Sequence, residues 1–142
     1  MAHSGRTNLG FLLAKATQRW NEELYKRFCA AGFPEVRPSY GAILVPLFEE
    51  DGLRMGELGK RAGLSKQTMT TMVRLLEKED LVDLRADPED ARARRIFLSE
   101  KSKRFRGVAK VVLADLEAAA VDVEGKAALE RTRAWLTHFI EF

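Results

Sequence analysis

Apolar residues recur at helical spacing through most of the chain. From about Asn8 to Ala31, Leu9, Leu13, Ala16, Trp20, Leu24 and Phe28 follow at steps of three and four, which lines them along one face of a helix. Gly32 supplies a helix-ending residue. Pro38 suits the first turn of a second helix running to about Glu50 and closed by Asp51-Gly52. Pro46 inside it lacks an N–H donor and predicts a kink or a shortened helix. A short helix, Met55 to Ala62, ends at Gly63, and Ser65 is a good N-cap for the next, which runs to about Glu79. The period then changes to alternation. Leu81–Leu84 and Arg95–Leu98 read as strands joined by the turn-rich tip Asp87-Pro88-Glu89-Asp90. Ser99 caps a long helix with the stripe Phe105, Val108, Val112, Leu116, Ala119 and Val123. Gly125 separates it from a last helix that carries Leu129, Leu136 and Phe139 or Ile140 on one face. The expected fold is mainly α with one small β-hairpin, an α+β arrangement.

Composition narrows the class. With 142 residues, 46% hydrophobic and 32% charged, the chain is expected to form one globular domain over 1–142 that needs no staple. Cys29 is the single cysteine, and His3 and His138 lie far apart, so neither a disulfide framework nor a metal cluster is expected. No catalytic set, phosphate-cradling loop or cofactor motif stands out, and the chain is read as non-enzymatic. No apolar run approaches the ~20 residues of a membrane span, and no targeting segment is evident. A soluble, cytoplasmic protein without a membrane partner is expected. The 24 Lys and Arg against 21 Asp and Glu, a net charge of +3, permit nucleic-acid binding without requiring it. The distribution of charge has to decide.

That distribution is uneven between Leu53 and Leu98. Two short helices joined at Ala62-Gly63-Leu64 form a helix-turn-helix pattern. Met69, Met72, Val73 and Leu76 give the second helix an inner face, while Ser65, Lys66, Gln67, Thr70, Thr71 and Arg74 form an outer face without an acid. Acids follow only at Glu77, Glu79 and Asp80, where the helix would leave a groove. Small hydroxyl and amide groups let a helix approach a groove floor, and a guanidinium can take two acceptors of guanine at once. Taken alone, such a face is equally an ordinary solvated one. The hairpin that follows carries Arg85, Arg92, Arg94 and Arg95, offset in part by Asp87, Glu89 and Asp90. Asp90 is placed to pair with one arginine and stiffen the hairpin. A recognition-type helix followed by a basic hairpin is a winged helix-turn-helix, with Arg92, Arg94 and Arg95 expected at the minor groove or its phosphates.

The run Gly63-Leu64-Ser65-Lys66-Gln67-Thr68-Met69-Thr70, followed by Leu76-Glu77-Lys78-Glu79-Asp80-Leu81-Val82, resembles the helix-turn-helix of MarR-family transcriptional regulators. So does the wing Arg85-Ala86-Asp87-Pro88-Glu89-Asp90-Ala91-Arg92, closed by Ile96-Phe97-Leu98-Ser99. The resemblance implies a winged helix at 38–98, with its wing at about 81–98. It also implies a homodimer built by terminal helices 8–31 and 99–142, and a small-molecule or redox signal that controls DNA release. Two positions depart from the pattern: Asp80 and Ser102 stand where the family usually or often has glycine.

The terminal helices carry Trp20, Phe28, Trp135, Phe139, Ile140 and Phe142, more aromatic and apolar surface than a monomer of this size is expected to bury. Packing within one chain is the competing reading. Trp20, Arg37, Tyr40 and Arg54 are candidates for an effector pocket that takes a small aromatic or anionic ligand, arginine holding a carboxylate and the rings covering an aryl group. Cys29 is a candidate redox group. The expected function is a dimeric repressor that binds double-stranded DNA at a pseudo-palindromic operator. The alternative is a winged-helix adaptor for protein contacts, which steep salt dependence of DNA affinity would exclude.

Overall fold

The computed structural model describes residues 3–142. Among them, helices and strands follow in the order α1 (Leu9–Ala30), α2 (Gly41–Glu49), β1 (Leu53–Arg54), α3 (Met55–Ala62), α4 (Lys66–Lys78), β2 (Val82–Asp87), β3 (Asp90–Leu98), α5 (Glu100–Glu124) and α6 (Lys126–Ile140). None of these helices is long and apolar enough to cross a membrane.

Side-chain caps set several of the boundaries. Asn8 Oδ1 accepts from Phe11 N at 3.1 Å to start α1, and Gly32, at φ 93, turns the chain just beyond its end. The second helix is shorter than its expected span from Pro38. Pro38–Tyr40 form a 3-10 turn, and the α-helix begins only at Gly41. Pro46 lies inside that nine-residue helix, where it cannot donate to the carbonyl one turn back.

The three strands make one antiparallel sheet in the order β1-β3-β2. Val82 lies opposite Leu98 and Leu84 opposite Ile96, while Leu53 of β1 also pairs with Ile96. Both hairpin strands run further toward the tip than expected, with a register irregularity between Ala86 and Asp87. Their outer halves lie beyond the core, so no apolar alternation announces them. Two-residue β1 is too short to leave a periodic signal.

The core joins Phe28, Leu47, Leu58, Leu76, Ile96 and Phe105, drawn from α1 to α5 and the sheet. Phe28 and Phe33 meet the ring of Phe105 edge-on, with centroids 4.8 and 5.1 Å away. Phe28 therefore belongs to this chain's own core and not to the outer surface expected of it. The α5 stripe is also shorter than expected: burial ends at Leu116, Ala119 is exposed and Val123 is 79% exposed. Beyond Leu116 the helix leaves the globular body, and α6 folds back beside it with an Arg133–Glu117 ion pair. α6 buries none of its residues. Instead Trp135, Phe139 and Phe142 stack in series, with centroids 5.0 and 5.8 Å apart and all three rings open to solvent.

Candidate nucleic-acid interface

The helix-turn-helix depends on two glycines and a serine. Gly63, at φ 68, ends α3 in the left-handed conformation that favours glycine. Gly59 lets α3 approach α4, since a Cβ there would lie 3.2 Å from Met69 Cγ. Ser65 starts α4: its Oγ accepts from Thr68 N at 3.2 Å and donates to Thr68 Oγ1 at 2.9 Å. Ser65 thus orients the helix, its hydroxyl occupied by the cap. Met69, Val73 and Leu76 face the core, which turns Lys66, Gln67, Thr70, Thr71 and Arg74 outward together, all exposed. The Thr70 and Thr71 hydroxyls donate back to the carbonyls of Lys66 and Gln67 at 3.0 and 3.1 Å, leaving their oxygens able to accept. Neither Lys66 nor Arg74 has a carboxylate partner among the described residues, and the first turn of α4 holds no acid.

The wing divides its arginines between two faces. Strand alternation and the β2–β3 register put Arg94 on the face that continues Ile96 and Leu98, and Arg92 follows in the irregular stretch near the tip; both are exposed without an ion pair among the described residues. Arg95 lies on the opposite face and is already engaged. Its Nη1 donates to Gly52 O at 2.8 Å, and its Nε stands 3.3 Å from Asp87 Oδ2. Arg54 Nε reaches the same carboxylate oxygen at 2.5 Å, and its Nη2 lies 3.8 Å from Glu89. Asp87 is buried, and its other oxygen accepts from Glu89 N at 2.9 Å. That N–H, together with the Arg54 and Arg95 guanidinium groups, holds the carboxyl below its ordinary range against the opposing effect of burial.

This geometry corrects three expectations. Arg95 braces the wing and is not a free contact beside Arg92 and Arg94. Arg54 serves the same brace and lies outside any pocket with Arg37. The stiffening carboxylate is Asp87, whereas Asp90 accepts from Arg92 N at 3.0 Å in a local turn. The sign of each arginine was visible in the sequence, but its face depends on strand register. Only the placement of Asp87 before Pro88 at the tip hinted at a side chain folded back on the hairpin.

A model of the MarR family matches residues 38–93, the span from the turn before α2 to the middle of β3. Over residues 38–93 the chain is similar to the MarR family. A 70-residue stretch is 37% identical to the HTH-type transcriptional regulator TtmR of Methylorubrum extorquens (strain PA1). That match takes in 49% of this chain and 35% of the relative, so the chain spans about a third of that protein's length. Among solved structures, the transcriptional repressor CouR bound to a 23-mer DNA duplex superposes with a TM-score of 0.82 at 19% identity, covering 98% of this chain and 99% of that one. The PcaV regulator from Streptomyces coelicolor, in complex with its natural ligand, gives 0.78 at 22% identity over 99% and 98% of the two chains. At these identities the superpositions establish a shared fold, mainly α with a small antiparallel wing.

Beside the helix-turn-helix, a cleft of about 310 Å³ opens between α1, α2 and α5. Phe28, Leu44, Phe48 and Phe105 form part of its apolar wall, and the exposed Arg37, Arg106 and Lys110 border it. Of the four residues expected to form an effector pocket, Arg37 alone lines this cleft. Tyr40 is buried in the core and Trp20 packs against it from the side, as aromatic residues do when burial dominates. Arg106, whose guanidinium lies 5.6 Å from the Phe48 centroid, and Lys110 were missed because their helix reads as a solvated basic stretch. Cys29 is exposed in the last turn of α1, the only cysteine in the sequence. Among the described residues no group of three or more His, Cys, Asp or Glu is placed to hold a metal ion.

Proposed function

We propose that the protein is a dimeric, sequence-specific DNA-binding transcriptional repressor whose release from an inverted-repeat operator is controlled by a small amphipathic anion. The observation that carries this reading is the outer face of α4, free of acids from Lys66 to Arg74, beside the wing arginines Arg92 and Arg94, which have no ion pair among the described residues. Gln67, Thr70, Thr71 and Arg74 meet base edges in the major groove, and Lys66, Arg92 and Arg94 meet phosphates or the adjacent minor groove. The open stack of Trp135, Phe139 and Phe142 supports a second copy at the far end of the molecule. Two-fold symmetry then places two α4 helices about one DNA turn apart. The duplex in the CouR structure and the ligand in the PcaV structure lend support by fold.

Apolar walls bordered by Arg37, Arg106 and Lys110 give the cleft its preference for an apolar body that carries one negative charge. The test of function is selection of random duplex DNA on the purified protein at about physiological salt, where non-specific binding is weak. Enrichment of an inverted repeat with half-sites about one turn apart is the expected result. Folded, dimeric protein that enriches no sequence, with and without prior dialysis to strip ligand, refutes it.

A further inference from the structure

The recognition helix and the long helix that leaves the globular body meet at one junction. α4 ends at Lys78, and Asp80 then turns the chain at φ 58, the one positive φ outside glycine among the described residues. Leu81 N donates back to Leu76 O at 2.8 Å and closes the helix end. The carbonyls of Asp80 and Leu81 are then taken up by the first turn of α5. Ser99 Oγ donates to Asp80 O at 2.7 Å, and Ser102 Oγ donates to Leu81 O at 2.6 Å. Ser99 N also donates to Leu81 O, at 3.1 Å. Ser99 Oγ meanwhile accepts from Ser102 N at 3.1 Å, so one hydroxyl both caps α5 and holds the end of α4. Both serines are buried, which keeps water from competing for these bonds.

We propose that Ser99 and Ser102 are positioning residues that lock α4 to α5 and thereby set the half-site spacing the protein accepts. The spacing role rests on the dimeric DNA-binding reading above. Its force comes from leverage. α5 has 25 residues and is about 37 Å long at the helical rise. A tilt of about 5° at the junction displaces its far end by about 3 Å on that length. Two protomers joined at their far ends turn this into about 6 Å between recognition helices, nearly two of the ~3.4 Å base steps along a strand. A small angular freedom at the serines therefore separates one operator spacing from its neighbours. A glycine or alanine at 102 supplies no hydroxyl for Leu81 O.

Ser102→Ala removes that bond with almost no change in volume, and Ser99→Thr keeps a capping hydroxyl as the conservative control. Each is assayed against duplexes whose half-sites are moved apart or together by one base pair. In parallel, spin labels at Glu77→Cys and Asp115→Cys, in Cys29→Ser chains diluted with unlabelled protein, report the α4–α5 distance distribution. We expect Ser102→Ala to lower discrimination between neighbouring spacings about fivefold, the worth of one such bond. It should also broaden the distance distribution, while Ser99→Thr leaves both as in the parent. Parental discrimination and parental width in Ser102→Ala overturn the proposal. A parent that binds no duplex overturns the DNA reading and the spacing role together, while the distance widths still decide whether the serines lock the two helices.

Discussion

Replacing Arg94 and Arg95 one at a time is the sharpest test of how the wing meets DNA. The two are adjacent in sequence, yet Arg94 is exposed and has no ion pair among the described residues, whereas Arg95 is tied to Asp87 and Gly52. With Lys66, Arg92 and Arg94 of each protomer on phosphates, a dimer makes about six such contacts, for a slope of log affinity on log salt of about −5. Affinity then falls about a thousandfold between about 50 and 200 mM salt. Arg94→Ala removes two contacts per dimer and should flatten the slope to between about −3 and −4. Arg95→Ala removes none and should keep the parental slope, while loosening the wing and lowering the melting temperature. Fluorescence anisotropy on the selected operator across a salt series, with melting curves on the same samples, reads both. A parental slope in Arg94→Ala together with a flattened one in Arg95→Ala would refute the assignment of wing faces.

Other measurements address separate parts of the molecule. The Asp87 carboxyl titrates below its ordinary value in the folded chain, so its stabilising effect is present above the unfolded value and is lost as pH falls through the folded one. Melting temperatures taken downward from neutral pH should show that acid limb in the parent, and Asp87→Asn should lose it while being less stable at neutral pH. Asp80→Gly relieves a left-handed side chain and should raise the melting temperature by about 1–4 °C, a gain of up to about 1 kcal/mol after the entropy of glycine is subtracted. A lower melting temperature in that variant would show that its carboxylate matters more than its backbone. Phe105→Ala empties the contact with Phe28 and Phe33 and should cost about 3–5 kcal/mol in denaturant unfolding; a loss under about 1 kcal/mol would contradict the packing. Trp135→Ala combined with Phe139→Ala should shift the sedimenting species from dimer to monomer at micromolar concentration, and an unchanged dimer would place the interface elsewhere.

What could be read in the sequence divides along physical lines. The inner face of α4 was legible because Met69, Val73 and Leu76 repeat at helical spacing against an uninterrupted polar face. The caps at Asn8, Ser65 and Ser99 were equally open to local chemistry, although Asn8 entered the reading only as the start of the first helix. Interactions that cross the chain were not legible. The Arg54–Asp87–Arg95 brace ties Arg54 to a hairpin more than 30 positions further along the chain, and its faces are fixed by a register that alternation of charged residues does not reveal. Trp20 and Tyr40 suggested a pocket because aromatic rings serve binding and packing equally well, and only the surrounding helices decide between them. Val123 shows the reverse error. Its spacing continues the α5 stripe beyond the point where the body offers anything to cover it.

The open aromatic ladder on α6 has a consequence for dosage. In the proposed dimer, burial of Trp135, Phe139 and Phe142 is completed only by a second chain, so stability becomes a function of protein concentration. Below the dissociation constant the assembled form grows with the square of chain number, and halving the supply leaves only about a quarter of it. A regulator built this way responds to its own rate of synthesis more steeply than a monomer does. In the proposed repressor, a fall in synthesis would therefore relieve repression more than in proportion, before any ligand arrives.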